Sequence, residues 1–181
     1  EKFGHTYFKN VLENFSGQVY PINVRATEIL GVPTYKSIRD LPENVDYVVS
    51  AIPNRDALDL VDACVSKGVK ALHLYTARFS ETGSEEGAQM ERDMLLRAKA
   101  GGMRILGPNC MGLYYPKEGI AWGRDFPWAP GNVGIISQSG GNAGEIISVG
   151  ASRGLRFSKV ISYGNALDLN EADLVEYLAD D

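Results

Sequence analysis

Short apolar runs alternate along this chain with stretches in which apolar residues recur every three or four positions. Val133, Ile135 and Ile136 form one such run, which reads as a buried strand and breaks at Ser137-Gln138-Ser139-Gly140-Gly141. Ala143, Ile146, Ile147 and Gly150 then follow at helical spacing, with Ser139 in the N-cap position. The same alternation predicts a helix from Phe3 through Phe15 closed by Gly17, and a strand over 18–23. A short helical piece carrying Arg25, Thr27 and Glu28 is expected to end at Gly31, before an extended stretch at 32–35. Strands are predicted over 45–52, 69–76, 104–106 and 157–163. Helices are predicted from Pro53-Asn54 to Gly68, over 85–100 and from about Asn170. Residues 114–130 are rich in proline, glycine and aromatics, lack periodicity, and read as a connection between domains.

Strands of near-continuous apolar character alternating with helices define an α/β protein built on a parallel sheet covered on both faces. Ligands of such folds bind at the carboxyl ends of the strands. The turns there are 23–25, 52–54, 76–81, 107–110 and 137–141. At 137–141 a strand, a glycine- and serine-rich turn and a helix follow in order, which aims free backbone N–H groups at an anion. The paired glycines Gly140 and Gly141 exceed what a helix cap requires.

Composition narrows the class. Of 181 residues, 44% are hydrophobic and 23% charged, with a net charge of -5, which argues against a nucleic-acid or anionic-membrane surface. No long apolar run or secretory-type start is visible, and the two cysteines, Cys64 and Cys110, have no metal-type spacing. A cytoplasmic protein without a metal site is the expectation. The pattern begins inside one helix and stops inside another, so further parts are expected outside this window.

Several side chains admit both a chemical and a structural reading. Asn23 and Arg25 follow a strand where a nucleotide-binding fold meets sugar and phosphate, yet spacing alone favours Arg25 as a solvated surface residue. Gly4, His5 and Thr6 open a helix that can carry a pyrophosphate on its N–H groups. His73 sits mid-strand between Leu72 and Leu74 and reads as a core or interface histidine. In Gly107-Pro108-Asn109-Cys110 the thiol has no neighbouring base, so Asn109 is the better functional candidate.

Taken in order, several stretches resemble the NDP-forming acyl-CoA synthetases, the family of ADP-forming acetyl-CoA synthetase and the succinyl-CoA synthetase alpha subunit. They are Val19-Tyr20-Pro21-Ile22-Asn23, Ile52-Pro53, Phe79-Ser80-Glu81-Thr82-Gly83, Gly107-Pro108-Asn109-Cys110-Met111-Gly112, Ser137-Gln138-Ser139-Gly140 and the run from Ser162 to Asp168. The resemblance implies a Rossmann-like CoA-binding domain over residues 1–128, without its opening strand, and the first part of a flavodoxin-like domain over 129–181. It implies that Gly4, His5, Thr6, Asn23, Arg25, Ile52, Pro53, Thr76, Ala77, Arg78 and Asn109 face CoA. Ser139 and Gly140 would receive the phosphate of a phosphohistidine. The implied reaction interconverts acyl-CoA, ADP and phosphate with acid, CoA and ATP. Its histidine and ATP-grasp domain, with magnesium, would lie outside this stretch, and an oligomer is expected. A non-catalytic CoA-binding regulatory module, possibly fused to an acyltransferase, is the alternative, and a nicotinamide-dependent oxidoreductase stays formally open. One departure stands out: the family loop reads Ala-Gly-Phe where this chain has Ala77-Arg78-Phe79.

Overall fold

The computed structural model describes residues 3–181. Helix α1 (Phe3–Asn14) turns Tyr7, Asn10 and Val11 inward. A small antiparallel pair follows, β1 (Glu28–Ile29) and β2 (Val32–Pro33). Then come β3 (Tyr47–Ser50), α2 (Ala57–Ser66), β4 (Ala71–Leu74), α3 (Glu85–Ala100) and β5 (Arg104–Leu106). Strands β3, β4 and β5 pair in parallel, in that order, with Val49 opposite His73 and His73 opposite Leu106. β6 (Gly112–Tyr114), β7 (Val133–Ser137), α4 (Gly140–Ser152), β8 (Phe157–Ser162) and α5 (Glu171–Ala179) form the second unit. Its sheet runs β6-β8-β7, with β7 parallel and β6 antiparallel to β8.

The α/β class expected from the pattern is borne out, and α3 spans the residues its periodicity marked. Ser84 caps α3 by accepting from Gly87 N–H, and its one inward stripe carries Gly87, Glu91, Met94 and Ala98. That stripe packs with Val61 and Cys64 of α2 on Leu72, Leu74 and Ile105, all fully buried. The opposite face of the same sheet meets α1. There Val49, Tyr7 and Val11 share one apolar cluster with Tyr114, Ala143, Ile147, Phe157 and Val160 of the second unit.

Three expectations need correction. Residues 18–23 form no strand; Ile22 makes one isolated parallel bridge to Tyr35. Residues 25–31 are not helical: Asn23 Oδ1 accepts from the N–H of Arg25 and Ala26, closing a side-chain turn, and the β1–β2 pair follows. Residues 114–130 are more than a connection. Tyr114, Ala121 and Trp122 are buried, and Asn10 of α1 donates to the carbonyls of Ala121 and Gly123, 2.9 Å each.

The second unit also seals the first. β5 is an edge strand, and the chain after β8 runs beside it. Leu167 N–H donates to Gly107 O (3.0 Å) and Leu169 N–H to Ile105 O (3.2 Å). Asp168 accepts from Ile105 N–H (2.9 Å) and from Arg104 Nε (2.8 Å).

Candidate functional site

The turns at the strand carboxyl ends are tied to one another by hydrogen bonds. Thr76 Oγ1 donates to Ile52 O, and Asn54 Nδ2 donates to Arg78 O at 2.9 Å. Asn109 N–H donates to Thr76 O at 2.9 Å. The exposed Gly4, in the first turn of α1, faces Ala51, one residue before Ile52. Gly4, Ile52, Pro53, Thr76, Ala77, Arg78 and Asn109 therefore share one rim. An α-helix leaves its first-turn N–H groups without intrahelical acceptors, so the start of α1 adds anion-binding capacity to that rim. Beside it lies a hollow of about 320 Å³ lined by Asn54, Arg78, Thr82, Ser84, Glu86 and Met90.

Asn23 and Arg25 are not joined to this rim by any hydrogen bond among the described residues. Asn23 is consumed by its local turn, which Tyr35 and Lys36 hold from the other side. Arg25 is exposed and makes no ion pair among the described residues, so its guanidinium is available to an anion.

Arg78 stands where the motif resemblance implies a glycine, and its backbone has the geometry that favours one. Its φ is 76°, in the left-handed region that side chains with a Cβ disfavour. Hydrogen bonds hold the strained residue on both sides. Its N–H donates to Glu81, as does that of Phe79 at 3.0 Å, and its carbonyl accepts from Asn54. Burial opposes the charge on Glu81, but the Asn165 amide and these backbone donors outweigh it and hold the carboxyl below its ordinary range.

A second cluster adjoins the first through residues 107–111. Ser139 caps α4 by accepting from Asn142 N–H at 3.2 Å, which leaves the first-turn N–H groups of Gly140 and Gly141 open. Gly140 packs so closely on Met111 that a Cβ there would stand 2.2 Å from the methionine side chain. Met111 N–H in turn donates to Ser162 Oγ, and Gly164 and Gln138 exchange hydrogen bonds at 3.2 Å.

Sequence reasoning missed the residues that join the clusters. Asn165 donates to Glu81 (2.7 Å) and Glu91 (2.8 Å), and accepts from Asn109 Nδ2 (3.3 Å). A glutamate among the inward positions of α3 was the available signal. His73 is fully buried; its Nε2 bonds Cys110 O at 3.2 Å, its Nδ1 has no partner, and burial pushes its pKa down to about 4. Burial pushes the Cys110 thiol up to about 12, which disfavours the thiolate form that a nucleophile requires. Among the described residues no group of three or more acidic, histidine or cysteine side chains could hold a metal ion. No helix of the described residues is long and apolar enough to cross a membrane.

Residues 1–116 match the CoA binding domain family, and residues 130–181 match the succinyl-CoA ligase like flavodoxin domain. The chain belongs to the CoA-binding domain family. It is 41% identical over 180 residues to the alpha subunit of ADP-forming acetate–CoA ligase II of Pyrococcus furiosus, covering 99% of the chain and 39% of that relative. It is 38% identical over 182 residues to the ADP-forming acetate–CoA ligase of Methanocaldococcus jannaschii, covering 99% of the chain and 25% of the relative. Among solved structures, a Pyrococcus horikoshii protein superposes with a TM-score of 0.93 at 39% identity, over 99% of this chain and 41% of that one. The dinucleotide-forming acetyl-coenzyme A synthetase 1 of Candidatus Korarchaeum cryptofilum, solved with phosphate and ADP, gives 0.90 at 34% identity, over 100% and 39%. The chain thus spans about two fifths or less of the length of these relatives. The resemblance to NDP-forming acyl-CoA synthetases, drawn from the motifs, is borne out.

Proposed function

We propose that this chain is the CoA-binding portion of an ADP-forming acid–CoA ligase, which interconverts acyl-CoA, ADP and phosphate with acid, CoA and ATP. The observation that carries this reading is the rim of linked turns at the carboxyl ends of β3 and β4, in a chain whose first 116 residues match a CoA-binding family. The rim suits a long polyanion: the α1 N-terminus offers backbone donors, and Arg78 is an exposed cation beside a hollow of about 320 Å³. CoA, when bound, supplies the thiol that carries the acyl group.

In this reading Gly4, His5 and Thr6 present N–H groups to the pyrophosphate, and Arg25 and Arg78 pair with phosphates. Ile52, Pro53, Thr76 and Ala77 flank the ligand, and Asn109 stands at its thioester end. Ser139 and Gly140 receive a phosphoryl group on a histidine carried by another part of the protein, adjoining an ATP-grasp unit that uses magnesium. His73 cannot be that carrier, because a fully buried ring has no access to a nucleotide. The nucleotide contacts, the small carboxylic acid, the oligomer and a cytoplasmic location belong to the same reading.

Calorimetric titration of CoA tests the binding half. Arg25→Ala should weaken binding about tenfold with an unchanged fold, the loss of one charge-assisted phosphate contact; no heat from the wild-type protein would overturn the reading. The phosphoryl half predicts that the full-length protein, incubated with ATP and magnesium, acquires phosphohistidine at a residue other than His73. Absence of any label would leave only a CoA-binding module.

A further inference from the structure

Three amides and carboxylates at the junction of the two units settle which way a fourth group faces. Glu81 Oε1 accepts from Arg78 N–H, and Glu81 Oε2 accepts from Phe79 N–H and from Asn165 Nδ2. A carboxylate only accepts, so the Asn165 side that faces it must be the NH₂. Glu91, 8% exposed on the inward stripe of α3, meets the same NH₂ at 2.8 Å. With its NH₂ held between two carboxylates, Asn165 turns its oxygen toward Asn109. Asn109 must answer with its own NH₂, which leaves its Oδ1 directed away from Asn165 as an open acceptor. Asn109 is exposed, its φ is 56°, and its N–H is fixed to Thr76 O, so its backbone holds one pose.

We propose that Glu81 and Glu91, acting through Asn165, are positioning residues that set the Asn109 carboxamide with its oxygen toward the reacting end of the bound ligand, where it accepts a hydrogen bond from a thiol or amide donor. The assignment rests on the CoA reading for the ligand and on hydrogen-bond direction alone for the relay. It couples the units: Glu81, Glu91 and Asn109 precede the second unit, and Asn165 lies 56 residues beyond Asn109. Ligand selection at Asn109 therefore depends on the loop that follows β8.

Reversing the relay tests it in the full-length protein. Replacing both carboxylates by amides (Glu81→Gln with Glu91→Gln) puts NH₂ groups where only acceptors stood and releases Asn165 to turn over. Asn109→Asp alone sets a carboxylate oxygen against the Asn165 oxygen. Each change should weaken CoA binding about five- to tenfold, the worth of one hydrogen bond. Combined, they should recover most of the wild-type affinity, because the turned Asn165 then donates to Asp at 109, whose second oxygen is again an acceptor. Losses that simply accumulate in the triple variant, with all variants melting cooperatively, would overturn the relay and leave CoA binding intact. Comparing CoA with a CoA analogue lacking the thiol identifies the donor: discrimination in the wild type and triple variant, but not in the double amide, points to the thiol. Equal, parallel weakening of both ligands in the double amide points to a pantetheine amide. A wild-type protein that binds neither ligand would overturn the CoA reading itself.

Discussion

Gly112→Ala should destabilise the fold by about 3 kcal/mol, and up to about 5, read as a fall in the denaturant midpoint without a change in slope. Two costs combine at this position. Gly112 has a φ of 81°, and a Cβ built there would stand 2.2 Å from His73 Cε1. An L-residue in the left-handed region costs about 1–2 kcal/mol, and overfilling a packed core about 1–3 more. The ring cannot step aside, because His73 is fully buried in β4 and flanked by Phe3, Tyr7 and Tyr47. Gly102 supplies the comparison: its φ is 67° but nothing lies within 4 Å of a Cβ there, so Gly102→Ala should cost only about 1 kcal/mol. Equal losses at 102 and 112 would show that the ring contact contributes nothing.

The same histidine should give the protein an acid-sensitive limb. His73 is held neutral in the folded state with a pKa of about 4, whereas an unfolded histidine titrates near 6.5. Below about pH 6.5 the unfolded chain therefore binds the proton first. The stability linked to His73 is complete above that pH and is lost progressively as pH falls toward 4. The full span corresponds to about 3 kcal/mol. Denaturant midpoints measured every half unit from pH 7 to 4.5 should fall steadily. In His73→Phe, which keeps an aromatic ring but cannot titrate, stability should start lower at pH 7, since Cys110 O loses its partner, and then stay level. A wild-type midpoint that does not move between pH 6.5 and 4.5 would refute the linkage. Glu81 acts in the same direction at more acid pH: its lowered pKa contributes stability that disappears as pH falls through that value.

What could be read in advance followed from periodicity. α3 and the β7–turn–α4 unit were legible because apolar spacing, an N-cap serine and glycine-rich turns all pointed the same way. Residues 18–31 were misread because their conformation comes from side-chain bonds that leave no period. Asn23 closes a turn on its own following N–H groups, while Thr34 and Lys36 reach back to Ala26 O. β6 is three residues long, too short for alternation to register, and its partner strand lies far along the chain. The candidate site divides in the same way. The turns at 52–54, 76–78 and 107–110 were placed by parallel topology, in which strand ends collect on one side. The Glu81–Asn165–Asn109 link was not, since its partners are 84 and 56 residues apart and no local spacing announces them.

The strip of chain beside β5 bears on how this protein can be divided. The family boundary falls between residues 116 and 130, which invites expression of the first unit alone. Such a cut would strip Asp168 and the backbone donors of Leu167 and Leu169 from β5 and the turn after it, and bare their hydrogen-bonding groups to any neighbouring strand. It would also open the shared cluster around Tyr7 and Val11 to solvent. A shortened piece would therefore tend to self-associate, and its failure to bind a ligand would report on the cut rather than on the site.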